Sequence, residues 1–292
     1  MLLRIIKMSR IQSARWAFNC RDWSPSEYDV QLLASGLDAE DKEQVGKFVF
    51  QKDAKSAIIG RFLTKKFICD ATGILWKKVK ILRDTEHKKP YFPQELYPSC
   101  RVQFNISHSG DFVVLAGEMG DVKVGVDVMK VEKQRTTTVP EFFRLMNKQF
   151  AAEEWSVVKS QYTECEQMAM FYRFWCLKES YTKATGTGIT VDLQKICFKL
   201  KNLRLAVNSV VGDTQVFVEG QKQEGWLFQE TMISNNHIAS VAIFSPEGCS
   251  DFHSKGEHFS VLSFDELISQ YDQISDIDID FSKRFLSKKI KP

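Results

Sequence analysis

Three groups of residues in this 292-residue chain have the types and spacing to do chemistry together. The first lies in Phe171–Lys183, F-Y-R-F-W-C-L-K-E-S-Y-T-K. Read as a helix, it carries apolar residues at Phe174, Leu177, Tyr181 and Ala184, and that spacing of three and four draws one buried stripe. At about 100° per residue, Glu179 and Lys183 project from the opposite side, one turn apart and next to Trp175. Taken alone they read first as an ordinary surface ion pair, worth only tenths of a kcal/mol. The second group is Asp127, near the end of the strand Val122–Val128. Val122, Val124, Val126 and Val128 take one face of that strand, and Lys123, Gly125 and Asp127 the other. Gly125 has no side chain, which leaves room for something to approach the backbone beneath the carboxylate. The alternative is an aspartate that caps the following turn. The third group is Asn105-Ile106-Ser107-His108 at a strand end, with the charged turn from Arg83 to Lys89, which includes His87 and Lys88.

If these groups converge, Asp127 and Glu179 supply two hard oxygen ligands from different elements. That donor set suits Mg²⁺, which keeps waters and takes one or two carboxylates plus substrate phosphates. His108, Lys183, Arg83, His87, Lys88 and Lys89 supply positive charge and donors for those phosphates. The class implied is metal-assisted attack on a phosphate or pyrophosphate. There is no G-x-x-x-x-G-K-[ST] sequence and no kinase signature.

The composition, 43% hydrophobic and 26% charged, is that of a folded globular protein. A formal charge of +3 fits an anionic ligand or acidic partner and is too small for a nucleic-acid binder. No apolar run approaches the length of a membrane span, so no membrane role is expected. The 7 cysteines are scattered, without a C-x-x-C pair, which argues against a zinc site or a disulfide scaffold and suits a reducing, cytosolic setting. The basic, apolar N-terminus, with Arg4, Lys7, Arg10, Arg15 and Arg21, reads as an untidy lead-in to a strand at Arg15–Phe18. A mitochondrial presequence is the alternative.

The elements that must position these groups follow in order. A polar, turn-prone stretch with Pro25 and Gly36 precedes a helix over Asp38–Phe50, N-capped by Asp38. A second helix runs over Asp53–Asp70 and stops at Gly73. Strands are expected at Lys78–Leu82, Val102–Ile106 and Phe112–Ala116, and Met119-Gly120-Asp121 makes a hairpin-like link to Val122–Val128. Glu132–Val139 is a loop, helices follow around Phe142–Met146 and from Phe150, and the Phe171–Lys183 helix stops at Gly186. Further strands are expected near Ile196–Leu200, Thr214–Glu219, Trp226–Met232 and His237–Phe244. Each half thus reads as a helix followed by several strands. The fold class expected is α+β: two similar halves, residues 1–120 and 121–246, with ligands in the cleft between them, and a polar extension over 247–292 to which no chemistry is assigned. Phe259–Leu267 is the part of that extension with the residues to dock.

Phe104–His108, Val124–Val128 and Trp175–Lys183 resemble the ordered motifs of the 4′-phosphopantetheinyl transferases of the large single-chain, surfactin-synthetase-activator type. Gly60-Arg61-Phe62-Leu63 resembles an upstream motif of that family. Arg15–Phe18, Pro140–Phe143 and Met170–Arg173 resemble its animal members more closely. The resemblance spans about Arg15 to Phe244. It implies two pseudo-symmetric α+β halves with coenzyme A and Mg²⁺ in the cleft, and a monomer. It also implies the reaction: a serine hydroxyl of an apo carrier protein attacks the β-phosphate of coenzyme A, the phosphopantetheine arm moves, and adenosine 3′,5′-bisphosphate leaves. By the same resemblance Asp127 and Glu179 are metal ligands, Glu179 also the base toward the serine. Lys183 contacts the phosphates and protonates the leaving group, and His108 contacts the pyrophosphate, completing the catalytic set. Asn105, Ile106, Ser107, Ser180, Arg83, His87, Lys88 and Lys89 line the coenzyme site. Two departures from the family pattern stand out. Met129 replaces a third acid found in many bacterial members, and Gln44 stands where an arginine contacts the coenzyme, with Lys42 or Lys47 as substitutes. The carriers implied are the fatty acid synthase carrier domain, a mitochondrial acyl carrier protein and an aminoadipate reductase. A non-catalytic coenzyme A or carrier-binding protein on the same fold is the rival reading.

Overall fold

The computed structural model describes residues 10–84, 89–132, 137–188, 191–248 and 257–290. The first half opens with β1 (Ser13–Asn19), then α1 (Glu27–Ser35), α2 (Ala39–Gly46) and α3 (Gln51–Thr72). A short hairpin, β2 (Leu82–Arg83) and β3 (Pro90–Tyr91), leads to β4 (Val102–Ser109) and β5 (Phe112–Met119). The second half comprises β6 (Lys123–Lys130), α4 (Val139–Leu145), α5 (Ala152–Lys159), α6 (Glu164–Thr185), β7 (Ile196–Lys199), β8 (Gln215–Val218), β9 (Gln221–Lys222), β10 (Trp226–Ser234) and β11 (His237–Phe244). Then come β12 (Ser260–Val261), α7 (Phe264–Leu267) and α8 (Ile279–Leu286).

The two halves repeat one plan. Strands β1, β5 and β4 lie side by side with β5 antiparallel to both neighbours, and β6, β11 and β10 do the same around β11. A 22-residue helix lies on each sheet, α3 on the first and α6 on the second. Each helix stops at a glycine in the left-handed region, Gly73 at φ 73° and Gly186 at φ 74°, where a side chain would be strained. The even-numbered valines of β6 pack with Ala17, Val114, Ala116, Val241 and Ile243 in a core shared by the two sheets. The odd-numbered face of β6 turns toward α6. The expected alternation of this strand is therefore what separates the inter-half core from the site.

Several expectations are corrected. The helix expected over Asp38–Phe50 ends at Gly46, and α1 lies in the stretch expected as turns. Its signal was local: Ser26 accepts from Asp29 N while Asp29 accepts from Ser26 N, a reciprocal cap legible as S-x-x-D. Lys78–Leu82 is not a strand except at Leu82, the first residue of β2, and a turn at Trp76–Lys78 precedes it. Trp76 is buried there, its indole N–H donating to Gly36 O at 3.0 Å, and a single 3₁₀ turn forms around it. Met119-Gly120-Asp121 is not a hairpin: β5 pairs with β4 and β1, β6 pairs with β11, so this turn passes from one sheet to the other. The α6 helix is also not amphipathic in the expected sense. Besides the Phe174–Leu177–Ala184 stripe it buries Met170, Cys176, Lys178 and Ser180, because sheet, α5 and β7 enclose it. Its partly open line is Trp175, Glu179 and Lys183, at four-residue spacing.

The C-terminal residues dock on the first half. Strand β12 adds to β1 in parallel, and Tyr271 packs on Phe62 with its hydroxyl 2.6 Å from Ser35 Oγ. Phe281 and Phe285 of α8 are buried in the first-half core.

Candidate active site

Strand β4 runs beside β6 without a backbone ladder between them; side chains make the join. Asn105 Oδ1 accepts from Val126 N at 2.9 Å, and Ser109 Oγ accepts from Lys130 N at 3.2 Å. Between these two stitches Ser107 Oγ donates to Asp127 Oδ1 at 2.7 Å. From α6, Lys183 Nζ reaches Asp127 Oδ1 at 2.7 Å, Ser107 Oγ at 3.0 Å and Val126 O at 3.2 Å. Three elements thus meet on one carboxylate oxygen. They can come this close because β6 has no side chain at Gly125: a Cβ there would lie 2.0 Å from Ser180 O and 2.5 Å from Ala184 N. The space expected beneath Asp127 exists, and the backbone of α6 fills it.

The other oxygen, Asp127 Oδ2, is buried and no nitrogen or hydroxyl donates to it; the buried Cys176 thiol lies beside Asp127 but gives its hydrogen bond to Ile238 O at 3.4 Å. A buried carboxylate oxygen without a partner is costly, and such an atom in a native fold calls for a ligand. Glu179 stands one turn before Lys183 and is half-buried. Burial, and then the Asp127 charge, push its carboxyl above the usual range, while Lys183 opposes them. The surface ion pair read from the sequence does not form, because the ammonium turns to Asp127. Glu179 has no ion pair among the described residues.

The remaining sequence-derived residues divide. His108 lies on the α3 side of β4, exposed along one edge. Crowding around the rest of the ring, then the Lys183 charge, holds its imidazole below the ordinary range, against the pull of Asp53 and Asp127. Lys89 Nζ donates to Lys183 O at 2.7 Å, near the C-terminus of α6, and burial lowers its pKa. Arg83 lies 3.7 Å from Asp41, which also accepts from Arg61 Nε at 2.6 Å. His87 and Lys88 lie outside the described residues. Two residues do not face this cluster. Ile106 packs into the first-half core beneath Gly60, and Ser180 is buried with its hydroxyl on Leu177 O and 3.2 Å from Ser240 Oγ. Asn105 is committed to the β4–β6 stitch. Met129, on the same face as Asp127, packs against the second-half core. Gln44 is exposed on α2, and Lys47 pairs with Glu43 at 2.8 Å.

The sequence reading missed the buried ion pairs around the site. Arg173 grips Glu230 through Nε at 2.7 Å and Nη2 at 3.0 Å, and Lys178 pairs with Glu154 at 2.8 Å. It also missed that Asn105 and Ser109 stitch β4 to β6, which only the tertiary arrangement shows.

Two comparisons bear on what this cluster serves. The family described as 4′-phosphopantetheinyl transferase, N-terminal, matches residues 21–120, and the 4′-phosphopantetheinyl transferase superfamily matches residues 123–242. The chain belongs to the 4′-phosphopantetheinyl transferase superfamily. It is 34% identical over 274 residues to the L-aminoadipate-semialdehyde dehydrogenase-phosphopantetheinyl transferase of Homo sapiens, covering 91% of this chain and 88% of that one. The Xenopus laevis protein of the same name is 35% identical over 300 residues, covering 100% of this chain and 98% of that one. A phosphopantetheinyl transferase of Thraustochytrium sp. is 31% identical over 233 residues, 78% of this chain and 77% of that one. The transferase moves a phosphopantetheine group from coenzyme A to carrier proteins, and its α+β architecture is that of the superfamily.

The residues present fit a hard divalent cation. No group of three or more histidine, cysteine, aspartate and glutamate residues gathers among the described residues. Mg²⁺ does not require one, since two carboxylates with substrate phosphate oxygens and water are its usual set. Asp127 and the half-buried Glu179, which feels the Asp127 charge, are the two carboxylates at hand for that set.

Proposed function

We propose that this transferase works with Mg²⁺ held by Asp127 and Glu179, and that the Ser107–Asp127–Lys183 cluster is the floor of its active site. The observation that carries the reading is the buried, unpartnered Asp127 Oδ2 beside a Lys183 ammonium fixed by three acceptors. When bound, the metal polarises the pyrophosphate of coenzyme A. The remaining work falls to the chain. Glu179, with its raised pKa, takes the proton of the carrier serine hydroxyl. The serine oxygen forms a bond to the β-phosphorus, and the bond to the oxygen of adenosine 3′,5′-bisphosphate breaks. Lys183 stays at that oxygen, neutralises its developing charge and supplies its proton. His108 donates to the pyrophosphate, and Arg83, His87, Lys88 and Lys89 supply positive charge to the nucleotide. Positioning and charge neutralisation are the main needs of phosphoryl transfer.

The carriers we propose are the fatty acid synthase carrier domain, a mitochondrial acyl carrier protein and an aminoadipate reductase. The last is supported by the L-aminoadipate-semialdehyde dehydrogenase in the names of the animal relatives. We place the protein in the cytosol as a monomer. The six described cysteines are free, which suits a reducing compartment, and no described helix is long and apolar enough to cross a membrane.

The test is intact mass of an apo acyl carrier protein incubated with the enzyme, coenzyme A and Mg²⁺. The wild type adds the phosphopantetheine arm, and chelation stops it. Asp127→Ala and Glu179→Gln each lower the rate by on the order of 10²-fold or more with the fold retained. Wild-type rates in either variant would place the metal elsewhere.

A further inference from the structure

The join between the halves has a third point, beyond the stitches made by Asn105 and Ser109. The β4–β5 turn, Ser109–Phe112, projects from the first half onto β6 and β11 of the second. His237, the first residue of β11, is 1% exposed and meets that turn. Its Nε2 lies 3.2 Å from Asp111 N. A backbone N–H can only donate, so Nε2 is an acceptor and carries no proton. The ring proton therefore sits on Nδ1, which is 2.8 Å from both Ser234 Oγ and Asn236 Oδ1. One neutral tautomer satisfies both ends. The turn is shaped to this ring: Gly110 has φ 60°, and a Cβ on it would lie 2.5 Å from His237 Nε2 and 2.5 Å from Lys130 Cδ. Phe112 meets the ring edge-on at 4.9 Å between centroids.

The three points lie along β4 in order. Asn105 and Ser109 hold the strand to β6, and His237 holds the turn that follows. Ser107, which bonds Asp127, lies inside the span they fix. We infer that His237 is a positioning residue for the transfer reaction: by accepting from Asp111 N it locks the β4–β5 turn to the second half, and so sets the register of Ser107 and His108 against Asp127 and Lys183. This inference rests on the assignment of those residues to the active site. The charged groups around the ring are Asp111 from the turn, Lys130 from β6, Glu132 beyond it and Lys52 from α3. Burial, the largest influence, keeps the ring neutral well below physiological pH. The lock is thus constant at neutral pH.

The test uses the full chain and compares two amide replacements. A Gln side chain at 237 carries an acceptor to the place of Nε2, whereas Asn reaches only the place of Nδ1. His237→Asn is expected to speed exchange of the Asp111 amide about tenfold or more and to lower kcat roughly 10–10²-fold, with KM for coenzyme A within about twofold. His237→Gln is expected to restore both at a melting temperature similar to that of His237→Asn. Equal losses in the two variants, or a fully exchanging Asp111 amide with wild-type kcat, overturn the inference. Should the Asn variant fail to fold, ring ¹⁵N shifts of the wild type decide at pH 7: protonated Nδ1 with bare Nε2 upholds the lock, and the opposite tautomer or a doubly protonated ring overturns it. The ring and amide readouts do not depend on turnover. A failure of the site assignment would instead show as full activity in Asp127→Ala.

Discussion

At the scale of single residues, the site is a competition for one carboxylate. Asp127 Oδ1 is held by Ser107 and Lys183, and no nitrogen or hydroxyl donates to Oδ2. Replacing Lys183 with methionine removes the ammonium we assign to the phosphates together with the Asp127 partner. We expect kcat to fall by on the order of 10²-fold, with KM for coenzyme A raised, in steady-state assays. His237 gives a separate, stability-based prediction. Its folded-state pKa is lowered to about 4, below the ordinary 6.5. The unfolded chain therefore binds more protons between those values, so the contribution is whole above pH 6.5 and drains away as pH falls toward 4. Relative to His237→Gln, the wild type should lose about 2 kcal/mol of unfolding free energy between pH 7 and pH 5 in urea titrations. That Asp127, Ser107 and Lys183 would meet was legible from type and spacing, because the metal and pyrophosphate we propose need acids and cations at set places. The partnership was not: Glu179 and Lys183 are neighbours in helical angle, yet Lys183 turns to Asp127, a choice that depends on how far α6 sits from β6.

At the scale of elements, that distance is set by Gly125. A methyl group there would collide with Ser180 O, which is backbone and cannot swing aside. Gly125→Ala is expected to cost about 3 kcal/mol by chemical denaturation and to lower kcat with it, since the shift moves Lys183 off Asp127. The Lys178–Glu154 pair fixes the helix from its other side, with both side chains at most 1% exposed. Lys178→Met leaves a buried carboxylate unpaired and should cost about 3–5 kcal/mol in the same measurement. Strands with strict alternation, such as β6, and helices with strong stops, such as α3 and α6, were readable from local pattern. The sheet-to-sheet passage at Met119–Asp121 was not, because a short Gly-containing turn looks the same whether the next strand pairs with its neighbour or leaves the sheet. The 3₁₀ turn at Trp76 escaped for a related reason: it is held by Gly36 O, forty positions away.

At the scale of the whole molecule, the repeat of helix and strands within one sequence did announce two halves, and the structure gives them the same strand order. What the sequence could not announce was where residues 257–290 go, since polar composition is shared by tails and by straps whose few apolar residues are well placed. Leu267, Tyr271, Phe281 and Phe285 are among those few, and Leu267 lies in the Phe259–Leu267 stretch expected to dock. Truncation after Pro246 should expose the first-half core and lower the melting temperature by several degrees or more, measured by calorimetry. The docking of β12 and α8 also has a consequence for synthesis. The second half, from β6 to β11, contains all its own strands and can close its sheet against the first half once it clears the ribosome. The first half, although made first, lacks an edge strand and part of its core until the last segment emerges. The order of completion is therefore reversed from the order of translation. The nascent first half waits through most of elongation with apolar surface uncovered, the interval in which a chaperone has its best access to this chain.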